Sequence, residues 1–497
     1  MNFLHKTRIV LIFIFSIHCA LLINANGNEK KPLNVLFIAA DDLNCAISSY
    51  GCEEAITPNF DRLAAMGVQF DNAYCQQALC GPSRNSVMTG MRPNSITCYG
   101  LGDLFRVYQP NRTSLGEFFI NQGYYSGRVG KIYHYGNPDR IGTDGRDDKL
   151  SWSERFNPVG IDKTMEEKIV RFPGGRTGKK GGLGISMSYW DPISEDDDHT
   201  DGKVATQAIQ MIESNKDRPF FIAAGFFNPH CPHVAPKKYF DLYDINAIQM
   251  PDLELAKKDL EDVPPLALKK DLKGWPFWRQ NVTLDEAKQS KLAYLATISF
   301  VDAQVGRLLD ALEKNNLMDR TVIVFWSDHG YFIGEKGLWF KRKAFELSAR
   351  VPLYIMAPGI KGGVACKRTV ELIDLFPTIV DYAGFEVPTG LDGVSLRPLL
   401  ENPNRNWERP AFTQVHHSSE EQGYSMRNEK WRYTEWNRGK DGVELYNHEM
   451  DPDEVHNLAK NPEFSSVVNS MSKELRIYSD TYKPKPAKKK KVIKKDG

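Results

Sequence analysis

Two apolar runs of this sequence end in acids: "NVLFIAADD" (34–42) in Asp41 and Asp42, and "TVIVFWSDHG" (321–330) in Asp328 and His329. Three carboxylates are hard oxygen donors, suited to Ca²⁺ ahead of Mg²⁺. Imidazole suits such a cation poorly, which leaves His329 either a weak ligand or a group just behind the ligands. A further run, "YCQQALCGPSRNSVMTG" (74–90), sets Cys80 two residues before Pro82 and four before Arg84. Pro82 belongs in the first turn of a helix, so Cys80 is expected just ahead of a helix N-terminus, where free N–H groups and the dipole favour an anion. Arg84, one turn on, is expected to reach back to the same spot. The spacing alone is also compatible with a buried cysteine beside a structural turn.

Three more strings hold groups that bind anions or move protons. "GRVGKIYHYG" (127–136) contains Lys131 and His134, which face one way if the segment is helical; as a bare string it also reads as a surface helix. "NPHCPH" supplies His230, and "GEKGLWFKRK" supplies Lys341. A histidine is the side chain best matched to proton transfer near neutrality, which favours His230 over Lys341 as a proton donor.

The elements that position these groups follow from the apolar patterning. Continuous apolar runs such as 34–40, 321–326 and "RPFFIAAGFFNPH" (218–230) suit strands buried on both faces, as in a parallel sheet. Their acids then emerge together at the carboxyl rim, where open α/β sheets place ligands. Helical spacing of apolar residues over 58–66 and 290–314 alternates with these strands, which predicts an α/β sandwich. Residues 140–202, rich in Gly, Asp and Lys, read as long loops near the site. From about 405 to 482, short strands and a closing helix predict a small α+β subdomain.

Composition bounds the setting. The 497-residue chain has a formal net charge of +1, but the tail from 483 onwards holds eight lysines, so the body is mildly acidic, roughly −6. That balance offers no surface for nucleic acid, and the tail reads as a solvated, disordered arm. Lys6 and Arg8 precede "IVLIFIFSIHCALLINA" (9–25), the pattern of a cleaved secretory signal, so the mature protein is expected outside the cytoplasm, periplasmic or secreted, with no stable membrane insertion. Of the eight cysteines Cys19 leaves with that segment, and the other seven show no paired spacing of a zinc site. Their odd number leaves one thiol unpaired, for which Cys80 is the candidate.

The string "CGPSRNSVMTG" (80–90) resembles the signature of the type I sulfatases, in which the cysteine is converted after translation to formylglycine. The resemblance covers residues 34–460 and is strongest to the iduronate 2-sulfatases and their bacterial polysaccharide-degrading relatives, through "AADDL", "VGKIYH", "NPH", "SDHG" with "GEKGLWFK", and "DLFPTIVDYAG". It implies an alkaline-phosphatase-like sandwich with a large mixed sheet, a catalytic domain over 30–404, and a sulfuric ester hydrolase mechanism. In that mechanism one hydroxyl of the aldehyde hydrate attacks sulfur, and loss of the second hydroxyl's proton expels sulfate, a release that a serine ester would lack.

The resemblance further implies metal ligation by Asp41, Asp42, Asp328, position 80 and, less securely, His329. Lys131, His134, His230 and Lys341 match positions that bind sulfate or move protons. The implied partners are a formylglycine-generating maturation enzyme and an acidic sulfated polysaccharide or its oligosaccharides, green-algal ulvan ahead of glycosaminoglycan. A phosphodiesterase or phosphonate monoester hydrolase of the same superfamily is the alternative. Arg350 and Tyr331 stand where the iduronate enzymes carry a histidine and a tryptophan, which implies a changed sugar subsite.

Overall fold

The computed structural model describes residues 32–172, 182–269 and 283–483; the expected signal segment 1–25 and the lysine tail beyond Lys483 lie outside the described residues. The strands that matter are β1 (Asn34–Asp41), β2 (Val68–Tyr74), β3 (Tyr125–Gly130), β4 (Glu154–Phe156), β5 (Phe220–Pro229), β6 (Thr321–Ser327), β7 (Arg350–Val351), β8 (Leu353–Met356), β9 (Val364–Glu371) and β10 to β13 (Ala411–Ser418, Glu421–Arg427, Trp431–Trp436, Val443–Asn447). The principal helices are α1 (Pro58–Met66), α2 (Cys80–Thr89), α3 (Leu115–Asn121), α4 (Thr200–Asn215), α5 (Leu284–Lys314), α6 (Leu375–Tyr382) and α7 (Ser465–Thr481).

Nine strands form one mixed sheet in the order β7-β2-β8-β6-β1-β5-β3-β4, with β9 also on β2. Its centre is parallel: β1 pairs with both β5 and β6, and β3 with β5. β1 is buried along its whole length. Its alternate residues serve two cores, Leu36, Ile38 and Ala40 packing with α4 and α5, and Val35, Phe37 and Ala39 with α2, α3 and α6. A strand covered on both sides needs no polar alternation, which is why these segments read as unbroken apolar runs. Helices on both faces of a large mixed sheet make the alkaline-phosphatase-like sandwich that the resemblance implied.

α5 begins at Thr283, whose side chain caps the Glu286 N–H while the Glu286 carboxylate returns to the Thr283 N–H. It is long and apolar enough to cross a membrane, yet it lies mostly inside the core. Among the described residues of 140–202 the elements preceding α4 are short. Their neighbour Asn137 donates to the His230 carbonyl at 3.2 Å, and Gly184 lies against the His230 ring.

β10 to β13 form a separate antiparallel sheet, and α7 closes its outer face through Met471, Leu475 and Tyr478 packed on Phe412, Met426, Tyr433 and Leu445. The two sheets are stitched where Gln414 N–H donates to the Gln76 carbonyl at 2.8 Å and the Thr413 hydroxyl to the Cys75 carbonyl at 2.7 Å.

Candidate active site

The parallel register brings the strand ends together. Asp41 lies opposite Pro229 of β5, and Ala40 opposite Ser327 of β6. The residues that follow these strands (Asp42, His230, Asp328 and His329) therefore surround one point on the carboxyl rim. Asp42 takes a left-handed backbone (φ 63°), which turns the chain off the strand immediately. On β3, Gly130 and Gly225 of the neighbouring strand sit so close that a Cβ on either would fall 2.1 Å from a backbone oxygen. Only glycines permit this approach, and it delivers Lys131 directly from the strand end.

Two expectations change at this point. "GKIYH" is not helical: Lys131 leaves β3 into a loop, with its N–H on the Gly225 carbonyl at 2.7 Å, and it is fully buried. Helical spacing therefore says nothing about how Lys131 and His134 relate, since the strand end decides it. Cys80 is the first residue of α2 rather than the residue ahead of it, and Arg84 does not reach back to it. The Arg84 guanidinium donates to Asp328 Oδ2 at 2.8 Å, to Asp41 Oδ1 at 3.3 Å, and to the carbonyls of Lys131 (2.6 Å), Ile132 (3.0 Å) and Ala40 (3.2 Å). Its cation lies over the Trp326 ring at 5.7 Å. Arg84 thus braces two acids and three strand ends, a task suited to a rigid five-donor fork.

Cys80 Sγ lies 3.3 Å from His329 Nε2, 3.3 Å from Lys341 Nζ and 3.9 Å from Asp42 Oδ1. Lys131 ion-pairs with Asp41, and Lys341 with Asp42. His329 Nδ1 is 2.9 Å from the Gly330 carbonyl. A carbonyl only accepts, so Nδ1 carries a proton, and Nε2 faces Cys80 Sγ and Asp42 Oδ1, 3.3 Å from each. His230 is held the same way, Nδ1 donating to the Cys231 carbonyl at 2.6 Å and Nε2 facing Asp42 Oδ2 at 3.7 Å. His134 is half-buried, and its Nδ1 is enclosed without a hydrogen-bond partner.

The electrostatics are those of an anion site built on acids. Burial works to raise the Asp41 carboxyl, but Lys131, His230, Arg84 and Lys341 outweigh it and hold Asp41 well below the carboxylate range. Asp42 is likewise lowered against burial, by His230 and Lys341, whereas burial prevails over Arg84 and raises Asp328. Burial pushes the Cys80 thiol well up, and Asp41 adds to it. An unmodified Cys80 is therefore protonated and a poor nucleophile. Burial lowers His230 to about 4, and burial with Lys131 holds His134 well below the usual histidine range, so both rings are neutral at pH 7. Lys341 is raised, because Asp42 and Cys80 outweigh its burial.

A divalent cation fits this arrangement. The donor atoms of Asp41, Cys80, Asp328 and His329 lie within 4.8 Å of one another, as do those of Asp41, Asp42, Cys80 and His230. Asp42 Oδ2 is buried with no hydrogen-bond partner, the mark of an acid with coordination still to be filled. The donor set is chiefly carboxylate oxygen, which suits a hard cation.

Arg350 and Tyr331, which the resemblance linked to the sugar subsite, both make packing contacts within the protein. Arg350 donates to the Asp71 carbonyl at 2.6 Å and lies over the Tyr50 ring, while Tyr331 is buried and stacked on Tyr294 with centroids 5.3 Å apart. Both belong to the protein's own packing. One residue passed over in the sequence is Asp201 of α4, which accepts from the N–H groups of Phe227 (2.8 Å) and Asn228 (2.9 Å) and fixes the end of β5 that carries His230. An acid 29 residues from His230, near the start of an amphipathic helix, gives no local sign of that role. The seven cysteines among the described residues are all free.

Comparison with known proteins agrees with this geometry. The family model described as Sulfatase matches residues 33–385, and that described as N-sulphoglucosamine sulphohydrolase, C-terminal, matches 334–480. A sulfatase of Formosa agariphila is 33% identical over 468 residues, covering 90% of this chain and 89% of its own. The human iduronate 2-sulfatase is 31% identical over 407 residues, covering 73% of this chain and 71% of its own. A solved structure of a protein in complex with its substrate D-glucosamine-2-N,6-O-disulfate superposes with a TM-score of 0.73 at 21% identity, covering 92% of this chain and all of the other, and shares the fold. A family model that matches most of the chain, with relatives above 30% identity over more than two thirds of it, places the protein in the sulfatase family, as a sulfuric ester hydrolase.

Proposed function

We propose that this protein hydrolyses sulfate esters of an acidic sulfated polysaccharide or its oligosaccharides, ulvan ahead of glycosaminoglycan, in the periplasm or after secretion. The observation that carries the reading is the cluster around Cys80, in which acids able to hold a hard cation lie beside the ammonium of Lys341 at Cys80 and that of Lys131 on Asp41. The sequence similarity to an iduronate sulfatase supports a saccharide substrate.

Asp41, Asp42 and Asp328, with His329 Nε2 behind them, would hold Ca²⁺, which neutralises sulfate oxygens and acidifies a hydroxyl. Formylglycine, made from Cys80 by a maturation enzyme, supplies as its hydrate one hydroxyl for attack and a second for sulfate release. The chain's own groups do the rest. Lys131 and Lys341 present positive charge to the sulfate oxygens in a largely buried site, where such charge acts more strongly than in water. His134, neutral and with a free Nδ1, takes the proton whose loss ends the cycle. Lys341 enters the reaction protonated, whereas burial keeps His230 neutral. The structure therefore favours Lys341 as donor to the leaving oxygen, with His230 Nε2 as acceptor for a substrate hydroxyl.

The test is inorganic sulfate released by matured protein from ulvan oligosaccharides beside a 2-sulfated iduronate disaccharide. Release from ulvan alone assigns the enzyme to algal polysaccharide breakdown; release from the disaccharide alone extends the similarity to specificity. Turnover of an aryl phosphodiester above an aryl sulfate would replace the sulfatase reading with the phosphodiesterase or phosphonate one.

A further inference from the structure

The chain leaves His134 and returns to it. The Arg146 N–H donates to the His134 carbonyl at 3.1 Å, and between them the Arg140 N–H donates to the Gly136 carbonyl at 2.8 Å. Residues 134–146 therefore close into a compact loop rooted on a residue of the site. Gly145, at φ 54°, lets this loop lie on the buried Tyr135 ring, where an added Cβ would stand 2.5 Å from a ring carbon. A second segment, the turn 99–103, packs on the start of α2: a Cβ on Gly81, next to Cys80, would fall 2.7 Å from the Gly100 oxygen. Asp103 Oδ2 fixes that turn by accepting from the N–H groups of Tyr99 at 2.9 Å and Gly100 at 2.8 Å. Arg146 joins the two segments, because its guanidinium lies against Gly102, with Nη2 3.6 Å from the place of a Cβ there.

The charges of this stretch are sorted by sign. Asp144 pairs with Arg155 at 3.0 Å, Asp147 with Arg128 at 2.7 Å and Asp148 with Arg106 at 2.7 Å, while the Asp139 carboxylate lies by Gly182. Arg140 and Arg146 are exposed, and among the described residues neither makes an ion pair or a side-chain hydrogen bond. The acids are thus neutralised by cations from outside the loop, and the loop's own two guanidiniums are left unmatched in a mildly acidic protein. Exposed guanidiniums on segments rooted at His134 and Gly81 draw a polyanion towards the site, and each offers a planar fork that fits a carboxylate or a sulfate.

We propose that Arg146 binds an anionic group on a sugar unit flanking the ester that is cut, with Arg140 adding to the field that draws the polyanion in. The proposal rests on the saccharide reading above and specifies it: the substrate carries a carboxylate or a second sulfate near the scissile ester, and the loop 134–146 selects for it.

The experiment compares matured wild type, Arg146→Gln and the double variant Arg140→Gln, Arg146→Gln on an aryl sulfate, on a sulfated uronate oligosaccharide, and on the same oligosaccharide with its carboxyl reduced to an alcohol. Loss of one charge-assisted pair predicts a fall of about 10- to 30-fold in kcat/KM of Arg146→Gln on the native oligosaccharide, carried mainly by KM. The fall on the aryl sulfate, which lacks a second anion, is at least about fivefold smaller. Wild type shows the same deficit on the carboxyl-reduced substrate, on which the substitution costs little more. If carboxyl reduction leaves wild type unchanged while Arg146→Gln still loses selectively, the bound anion is a second sulfate. Added salt lowers kcat/KM on the native oligosaccharide most steeply in wild type, less in Arg146→Gln and least in the double variant. Equal losses on aryl and saccharide substrates, none on either, or salt slopes that neither variant changes overturn the proposal while leaving the saccharide reading intact. Turnover of the aryl sulfate with no release from any sulfated saccharide by wild type overturns both.

Discussion

Two buried charge clusters of this molecule are built from the same residue types and behave differently. Around Cys80, three acids meet two lysines, an arginine and three histidines. Where β7 and its preceding turn meet the C-terminal sheet, Glu346 and Glu454 meet Arg432, Arg427, His448 and Tyr74. The second cluster is closed. Glu346 Oε1 accepts from the Tyr74 hydroxyl at 2.8 Å and Oε2 from both arginines; Glu454 Oε1 accepts from Arg432 and His448, and Oε2 from the Glu346 N–H at 2.8 Å. The first is open, with Asp42 Oδ2 unpartnered and Asp41 and Asp42 each facing an ammonium that a ligand can draw away. A guanidinium fork fills carboxylate valences and locks two subdomains together, whereas a lysine is a movable point charge. Acids and a histidine within bonding distance therefore mark a site only where their lone pairs remain free, although Glu346, His448 and Glu454 are spaced closely enough to hold a metal ion.

The largest expected contrast is catalytic. Cys80→Ala should remove sulfate release, a loss of at least about 10⁴-fold, with little change in thermal midpoint. Retained turnover in that variant would remove Cys80 from the mechanism. In the closed cluster the effect falls on the fold instead: Arg432→Ala strands two buried carboxylates and should cost about 3–5 kcal/mol in urea unfolding. A cost near that of a surface substitution would mean that the network contributes nothing to holding the C-terminal sheet.

Calcium sharpens the contrast. Saturating Ca²⁺ should raise stability by about 2.7 kcal/mol at a hundred times its dissociation constant. Asp42→Asn should abolish that gain, and Glu454→Gln, in the closed cluster, should leave it unchanged. A calcium-induced shift that survives Asp42→Asn would place the cation elsewhere.

The smallest effect is one of pH. Glu444, buried in the C-terminal sheet, accepts from Trp436 Nε1 at 2.6 Å and Tyr446 Oη at 2.9 Å, and burial raises its pKa to about 7. The folded state binds this proton more tightly than the unfolded chain, so its stabilisation is complete below about pH 4.5 and is lost as pH rises through 7. Glu444→Gln mimics the protonated acid and should gain on wild type by up to about 2 kcal/mol between pH 5 and 8. Parallel stability curves for the two proteins would show that Glu444 is ionised in the fold throughout.

Much of this was legible in the residues. The unbroken apolar runs of β1, β5 and β6 announced a doubly covered parallel sheet, and their terminal acids announced the rim that carries the site. The run from Cys80 to Gly90 announced a helix start and, by resemblance, the family. Those signals are local, arising from strands buried on both faces and from a proline in a first helical turn.

Tertiary structure decided which group meets which. Arg84 turned from Cys80 to the acids, Lys131 came from a strand end rather than a helix, and Arg350 packs over Tyr50. Gln414 meets Gln77 only because β10 docks on the segment before α2, more than 300 residues earlier. Periodicity and capping act over a few residues and so leave a trace in the chain. Pairing of charges across a sheet rim depends on register and packing between distant segments, and single-sequence patterns carry no record of it.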